Sequence, residues 1–253
     1  MSKYLWRKNY TARVSDQEKA IRAKIAFKTQ EIHWLETQAS VIALISIDSA
    51  FHDGMEGNLK MDAFMSTIKQ HVKGRVTVLI SDRAHIRTSS LKYGGNLDKA
   101  FELCKDNAQG LVDRYRTYFE KCNVAFWHSY IYQAESFDPF LKLVKNLYDT
   151  DPVFRSHLLF DAEASYTVER MQDFSNKGLF IERTIEDILE QCACILVLAN
   201  KGYKFQFYPG RPYASTEYVN EVLIPKEKVC WVSVFLSIEK KTILDFPLST
   251  SLS

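Results

Sequence analysis

The chain is punctuated by short apolar runs that stop abruptly in small or polar residues, and the first, Val41 to Ile45 within SVIALISIDSAFH, organises the rest. An unbroken run of five apolar residues suits a strand covered on both faces, as in a parallel sheet. Ser46, Asp48 and Ser49 follow at its carboxyl end. Comparable runs recur at 76–80, ending in Ser81-Asp82, at 124–127, at 203–208, closed by Pro209-Gly210, and at 229–238. Between them the apolar spacing changes to the helical one over 59–72, 97–122, 140–147, 151–173, which has Pro152 at its start, and 180–199. A further helix is expected after Asp16, where Ile21, Ile25, Ala26 and Ile32 make one apolar stripe. The stretches AFHDGMEGN, with Gly54 and Gly57, and RAHIRTSSLKYGG, with His85 and Arg87, read as loops.

Strands alternating with helices predict an α/β fold: a single Rossmann-like, doubly wound domain over residues 1–253, with a mainly parallel central sheet flanked by helices. The basic segment 1–36 is expected to pack on it. Strand, loop, helix and strand across 40–80 form one right-handed βαβ unit, so Ser46 and Asp82 should emerge at the same sheet edge. Ligands of such sheets bind outside the carboxyl ends of the strands, where the strand order reverses. A serine placed there is a candidate nucleophile; the plainer reading is that Ser46 merely finishes a strand.

Composition narrows the partners. A net charge of +2 is too small for a dedicated nucleic-acid coat, so any polyanion must be met by a local patch. Two segments carry candidate patches: 1–36, and the 97–121 helix with Lys99, Lys105, Arg114 and Arg116, although acidic residues are interspersed there. Five cysteines without a CxxC pair fit free thiols in a reducing compartment, and the six histidines are too scattered to form a metal site by spacing. The first residues lack an apolar signal core, and no run approaches the ~18 apolar residues of a membrane span. A soluble, cytoplasmic protein, a monomer with neither cofactor nor metal, is expected. GxGxxG, GxxxxGK[ST], GxSxG and HExxH are all absent, so neither nucleotide loops nor a hydrolase nucleophile elbow is indicated.

Four stretches taken together resemble the tRNA-dependent cyclodipeptide synthases, whose fold resembles the Rossmann catalytic domain of class I tyrosyl- and tryptophanyl-tRNA synthetases. LISIDSAF is similar to the strand that ends in the family's nucleophilic serine, at Ser46 here. VTVLISDRAHIRT is like its second strand, with an acidic residue and an arginine beyond it. YDTDPVFRSHLLFDAEASYTVER is similar to a family helix, and GYKFQFYPG carries Tyr208-Pro209, the Tyr-Pro pair of one subfamily. The family's Tyr-x-x-x-Glu pattern is replaced by IEDILEQCACILVL. An ungapped fit puts Asp187 and Gln191 at those two positions, and a one-residue shift puts Glu186 and Glu190 there.

The resemblance implies ping-pong acyl transfer between two aminoacyl-tRNAs, through an aminoacyl-serine and a dipeptidyl-serine enzyme, to a cyclodipeptide. Ser46 would be the nucleophile. A carboxylate, Glu190, Glu186 or Asp187, would hold the incoming ammonium and relay its proton. Tyr208 would hydrogen-bond the ester oxygen, backbone N–H groups around Ile47 to Ser49 would hold the oxyanion, and Ile42 and Leu44 would line the first side-chain pocket. Negative charge from Asp48, Asp187 and Glu190 points to a cationic, arginyl substrate. Two other readings stand beside this one: a tRNA-binding relative whose altered helix abolishes ring closure, and a serine acyl-transfer or hydrolase enzyme with an unrelated substrate.

Overall fold

The computed structural model describes residues 5–12, 19–27, 40–47, 51, 54–167, 174–210, 212–224 and 230–240. Seven strands form one sheet: β1 (Leu5–Ala12), β2 (Lys19–Phe27), β3 (Ser40–Ser46), β4 (Arg75–Ser81), β5 (Asn123–Phe126), β6 (Phe205–Tyr208) and β7 (Cys230–Lys240). Their order is β1-β2-β7-β6-β3-β4-β5. The five strands from β7 to β5 pair in parallel, and β2 pairs antiparallel with both β7 and β1 at one edge. The chain runs outward from β3 through β4 to β5, then returns to β6 on the other side of β3. The strand order therefore reverses between β3 and β6, which opens a crevice beyond their carboxyl ends.

The first apolar run does what its composition dictates. Val41, Ile42, Ala43 and Ile45 are fully buried, with Val41, Ala43 and Ile45 on one side of the sheet and Ile42 and Leu44 on the other. Helix α1 (Gly54–His71) covers the first side, together with one face of α3 (Leu97–Arg114). That face is the stripe Ala100, Cys104, Ala108 and Leu111, at near-helical spacing. The second side is covered by α8 (Lys177–Asn200) together with Trp127, at the start of α5 (Trp127–Tyr130), and Phe137, at the start of α6 (Phe137–Thr150). A third cluster joins α6, α7 (Pro152–Ala164), α8 and α9 (Ala214–Leu223) through Val144, Phe154, Leu158, Ile188, Leu196 and Val219. Among the described residues no helix is long and apolar enough to cross a membrane.

Several expectations need correction. The stretch after Asp16 is strand β2, not a helix, and it extends the sheet through β7. The segment expected to pack on the domain thus contributes two of its strands. Helix α1 begins at Gly54, five residues before Leu59. Phe51 closes that entry: the Tyr115 hydroxyl donates to the Phe51 carbonyl, and a Cβ on Gly57 would come within 2.7 Å of the same hydroxyl. Only glycine fits there. The helix expected over 97–122 breaks at Tyr115 and resumes as the single turn α4 (Arg116–Phe119). The helix expected over 151–173 ends at Ala164; residues 168–173 lie outside the described residues. The polar stretch after Asp82 contains a short helix, α2 (Ile86–Ser90), and a 3-10 turn (Leu91–Tyr93) rather than an open loop.

Candidate active site

Parallel pairing sets Ser46 beside Ser81, so β3 and β4 end level, as the βαβ unit requires. The Ser81 hydroxyl donates to the carbonyl of Ile45 at 3.2 Å and fixes the backbone one residue before Ser46. On β6, Phe205 and Phe207 enter the core on the α1 side, while Tyr208 packs on the α8 side. Gln206 and Tyr208 meet Leu44 and Ser46 around a cavity of about 120 Å³. Its wall is completed by Ser81 at the end of β4, Ala84 and His85 after it, Trp127 after β5, the α8 stripe Gln191, Cys194, Ile195 and Leu198, and Pro212, Tyr213 and Thr216. The α8 residues recur at helical spacing, so a single face of that helix forms one wall.

Three groups on this wall bear on chemistry. Ser46 is buried to 9 % exposure at a strand end. His85, half-buried, brings an imidazole. Tyr208 is held by the turn after β6, where the Gly210 N–H bonds to the Tyr208 carbonyl at 2.9 Å. Gly210 has φ 144° and lies against the Tyr208 ring, with only 3.4 Å between a Cβ there and Cε1. A side chain at 210 would be strained and would push on that ring. Cys194 also faces the cavity, but burial pushes its thiol well above the ordinary range, which leaves it a poor nucleophile at neutral pH.

The carboxylates expected to hold the amine lie outside the described wall of this cavity. Asp187, 1 % exposed, accepts from the Arg87 N–H at 3.0 Å, the Thr88 N–H at 2.9 Å and the Thr88 hydroxyl at 2.7 Å. It thereby holds the first turn of α2 against α8. Burial pushes its pKa up to about 7, against the downward pull of the bonds to Thr88 and Arg87. Glu190 is ion-paired with the Arg87 guanidinium; Glu186 pairs with Arg183 at 2.8 Å and lies 3.7 Å from Arg87. None of the three lines the cavity. Of the ungapped pair only Gln191 does, and its amide donates to the Ala84 carbonyl at 2.9 Å.

Of the remaining expected residues, Leu44 lines the cavity, whereas Ile42 is fully buried in the core beneath it. Pro209 makes the turn after Tyr208 and is not part of the wall. Asp48 and Ser49 lie outside the described residues. Lys99, Arg114 and Arg116 are exposed on α3 and α4, while Lys105 is ion-paired with Glu102 at 3.1 Å. Along α3 the acidic Asp98, Glu102, Asp106 and Asp113 outnumber Lys99, Lys105 and Arg114. Asp82 is fully buried and accepts from the His128 N–H at 3.0 Å and from its ring, tying β4 to α5. Among the described residues no cluster of His, Cys, Asp and Glu is arranged to hold a metal.

The sequence placed His85 only in a loop and gave no role to Trp127, Gln206, Tyr213 or Thr216, all of which line the cavity. Gln206 carried a signal, since a polar residue between Phe205 and Phe207 in a buried strand marks a face that meets something other than core.

The fold and the serine at its switch point define a Rossmann-like α/β domain. No protein-family model and no curated protein matches the chain. Among solved structures it is similar to a CDPS from Fluoribacter dumoffii, with TM-score 0.74 and 17 % identity over 86 % of this chain and 98 % of that one. It is also similar to a cyclodipeptide synthase from Candidatus Glomeribacter gigasporarum bound to Phe-tRNAPhe, with TM-score 0.60 and 15 % identity over 88 % and 97 %. A tyrosyl-tRNA synthetase from Archaeoglobus fulgidus complexed with L-tyrosine matches with TM-score 0.52 and 13 % identity, over 81 % of this chain and 58 % of that one. The shared feature is the fold.

Proposed function

We propose that this chain is a cyclodipeptide synthase that joins the aminoacyl groups of two aminoacyl-tRNAs through Ser46. The carrying observation is the cavity at the β3–β6 switch point, where Ser46, Tyr208, Gln191 and His85 share one wall. The Ser46 hydroxyl attacks the ester carbonyl of the first aminoacyl-tRNA; the bond to the terminal ribose breaks, and the hydroxyl proton passes to the departing ribose oxygen. Tyr208 donates to the reacting ester oxygen. The amine of the seryl-bound residue then attacks the ester of the second aminoacyl-tRNA, giving a dipeptidyl-serine and free tRNA. The dipeptide's terminal amine finally attacks the seryl ester, closes the six-membered ring and returns the proton to Ser46. Aminoacyl esters are already activated, so no further energy source is needed.

Each amine must shed a proton before it attacks. Among the described residues no carboxylate lines the cavity, and His85 is the imidazole that does. An imidazole exchanges protons near neutral pH. We assign proton relay to His85 and amine binding to the side-chain oxygen of Gln191. Tyr208-Pro209 is the feature that favours the Tyr-Pro subfamily. The arginyl reading loses its motive among the described residues, because Arg87 neutralises Glu190 and Asp187 is turned to α2. For tRNA, exposed Lys99, Arg114 and Arg116 supply phosphate contacts, while Lys105 is engaged by Glu102.

A second reading, a tRNA-binding relative without ring closure, is favoured by the lack of a carboxylate among the described lining residues of the cavity. Purified chain incubated with a mixture of charged tRNAs separates the two. Diketopiperazines detected by mass spectrometry, and lost in Ser46→Ala, support synthesis; retarded tRNA in a gel with no product from the unaltered chain supports the relative.

A further inference from the structure

Two helices begin at the cavity, and the first turn of each is held by a buried aspartate from another helix. α2 starts after His85 and α9 after Tyr213; both of these preceding residues line the cavity, and neither side chain caps its own helix. The N–H groups at a helix start need acceptors from outside the helix. For α2 the acceptor is Asp187 of α8, which takes the Arg87 N–H at 3.0 Å, the Thr88 N–H at 2.9 Å and the Thr88 hydroxyl at 2.7 Å. For α9 it is Asp161 of α7, 5 % exposed, which takes the Ala214 N–H at 3.1 Å, the Ser215 N–H at 2.8 Å and the Ser215 hydroxyl at 2.7 Å. Each carboxylate thus accepts from two successive backbone N–H groups and one hydroxyl. Asp82 acts similarly on α5, accepting from the His128 N–H one residue after Trp127, which also lines the cavity.

Helices whose first turns do not line the cavity are capped locally instead. Asn96 accepts from the Lys99 N–H for α3, Asp151 from the Val153 and Phe154 N–H groups for α7, and Asn176 from the Leu179 N–H for α8. A local cap suffices to satisfy a helix start, and burying a carboxylate is costly. What the distant aspartate adds is a fixed relation between that helix start and a second helix. The strand order gives this a use: β3 stands between β6 and β4, so the connections carrying His85 and Tyr213 leave from either side of the strand that ends in Ser46.

We propose that Asp187 and Asp161 are positioning residues of the reaction: by pinning the starts of α2 and α9 they hold His85 and Tyr213 in place on the two sides of Ser46. The proposal rests on the reading of Ser46 as acyl acceptor and His85 as proton relay. Loosening Asp187 lets His85 drift from the amine it serves, and loosening Asp161 lets Tyr213 and Thr216 withdraw from the aminoacyl group. Misplacing a reacting group by about 1 Å costs a rate factor on the order of 100.

The test uses Thr88, whose hydroxyl joins α2 to Asp187. Thr88→Val keeps the side chain's shape and loses the bond, whereas Thr88→Ser keeps the hydroxyl and loses a methyl group. Cyclodipeptide release at saturating charged tRNA falls at least about tenfold in Thr88→Val, with little change in the half-saturating concentration, and stays near the unaltered rate in Thr88→Ser. The reverse order, with Thr88→Val the more active, marks a packing role and overturns the proposal. Ser215→Ala narrows the spread of rates across a mixture of charged tRNAs, because a loosened wall discriminates less; an unchanged spread overturns the Asp161 half. A second readout needs no reaction. With isotope-labelled histidine and fluorinated tyrosine, the His85 signal, identified by its loss in His85→Asn, shifts or broadens in Asp187→Asn and Thr88→Val. The Tyr213 signal, identified by its loss in Tyr213→Phe, does so in Asp161→Asn and Ser215→Ala. Signals that stay in place in these variants overturn the proposal, and should an aspartate variant fail to fold, the Thr88 and Ser215 variants decide. If the unaltered chain releases no cyclodipeptide, the synthase reading falls, while the ring signals still decide the positioning.

Discussion

At Asp187 a carboxylate that is 1 % exposed accepts bonds from two backbone N–H groups and a hydroxyl, and burial still pushes its pKa up to about 7. In the unfolded chain the same carboxyl titrates near about 4. Between those values the folded chain holds a proton that the unfolded chain has released, so this residue's contribution to stability falls as pH rises through the window. Asp187→Asn removes the titration and weakens the hold on α2 at every pH. In urea unfolding the lead of the unaltered chain over the variant should be larger near pH 5 than at pH 7.5; a lead that grows with pH contradicts the account. His85 offers a kinetic test at the same scale. His85→Asn should slow cyclodipeptide release by about 100-fold or more, the usual worth of a positioned acid-base group, while gross folding by circular dichroism is unchanged.

The elements explain which parts of the site are legible in sequence. β3 and β4 announce themselves because both faces are covered, leaving the buried Thr77 as the one polar position inside either run. β2 reads as a helix because a spacing of four suits either element: Ile21 and Ile25 lie on one face of a helix and also on one face of a strand. Ala23 and Phe27, at the intervening and following alternate positions, are the residues that separate the two readings. The helix expected to bind the amine is legible as a helix, yet its chemistry is not. Asp187, Glu190 and Gln191 are neighbours in sequence, and only the packing of α2 against α8 decides which of them is consumed by Arg87 and Thr88. The entry to α1 carries its own test. Gly57→Ala should lower stability by about 1–3 kcal/mol, the usual cost of forcing extra volume into a packed site, because the added Cβ meets the Phe51 carbonyl and the Tyr115 hydroxyl. A variant as stable as the parent would show that the Tyr115–Phe51 closure gives way freely.

For the whole molecule, the sheet places one chemical edge at the β3–β6 reversal, while α3 and α4 present exposed side chains of mixed sign to solvent. Association with tRNA through phosphates weakens as salt rises. Replacing Lys99, Arg114 and Arg116 together with glutamine should flatten the plot of log affinity against log salt by about one for each phosphate those side chains neutralise, with binding weakened alike for all tRNA sequences. Unchanged salt dependence would move the tRNA surface elsewhere. The central claim is that Ser46 carries the aminoacyl group between two tRNAs, and intact-protein mass spectrometry after rapid acid quench tests it most directly. A mass increase of one aminoacyl residue, mapped to the peptide containing Ser46 and absent from Ser46→Ala, is the predicted result. Cyclodipeptide formation with no adduct, or an adduct that persists in Ser46→Ala, contradicts it.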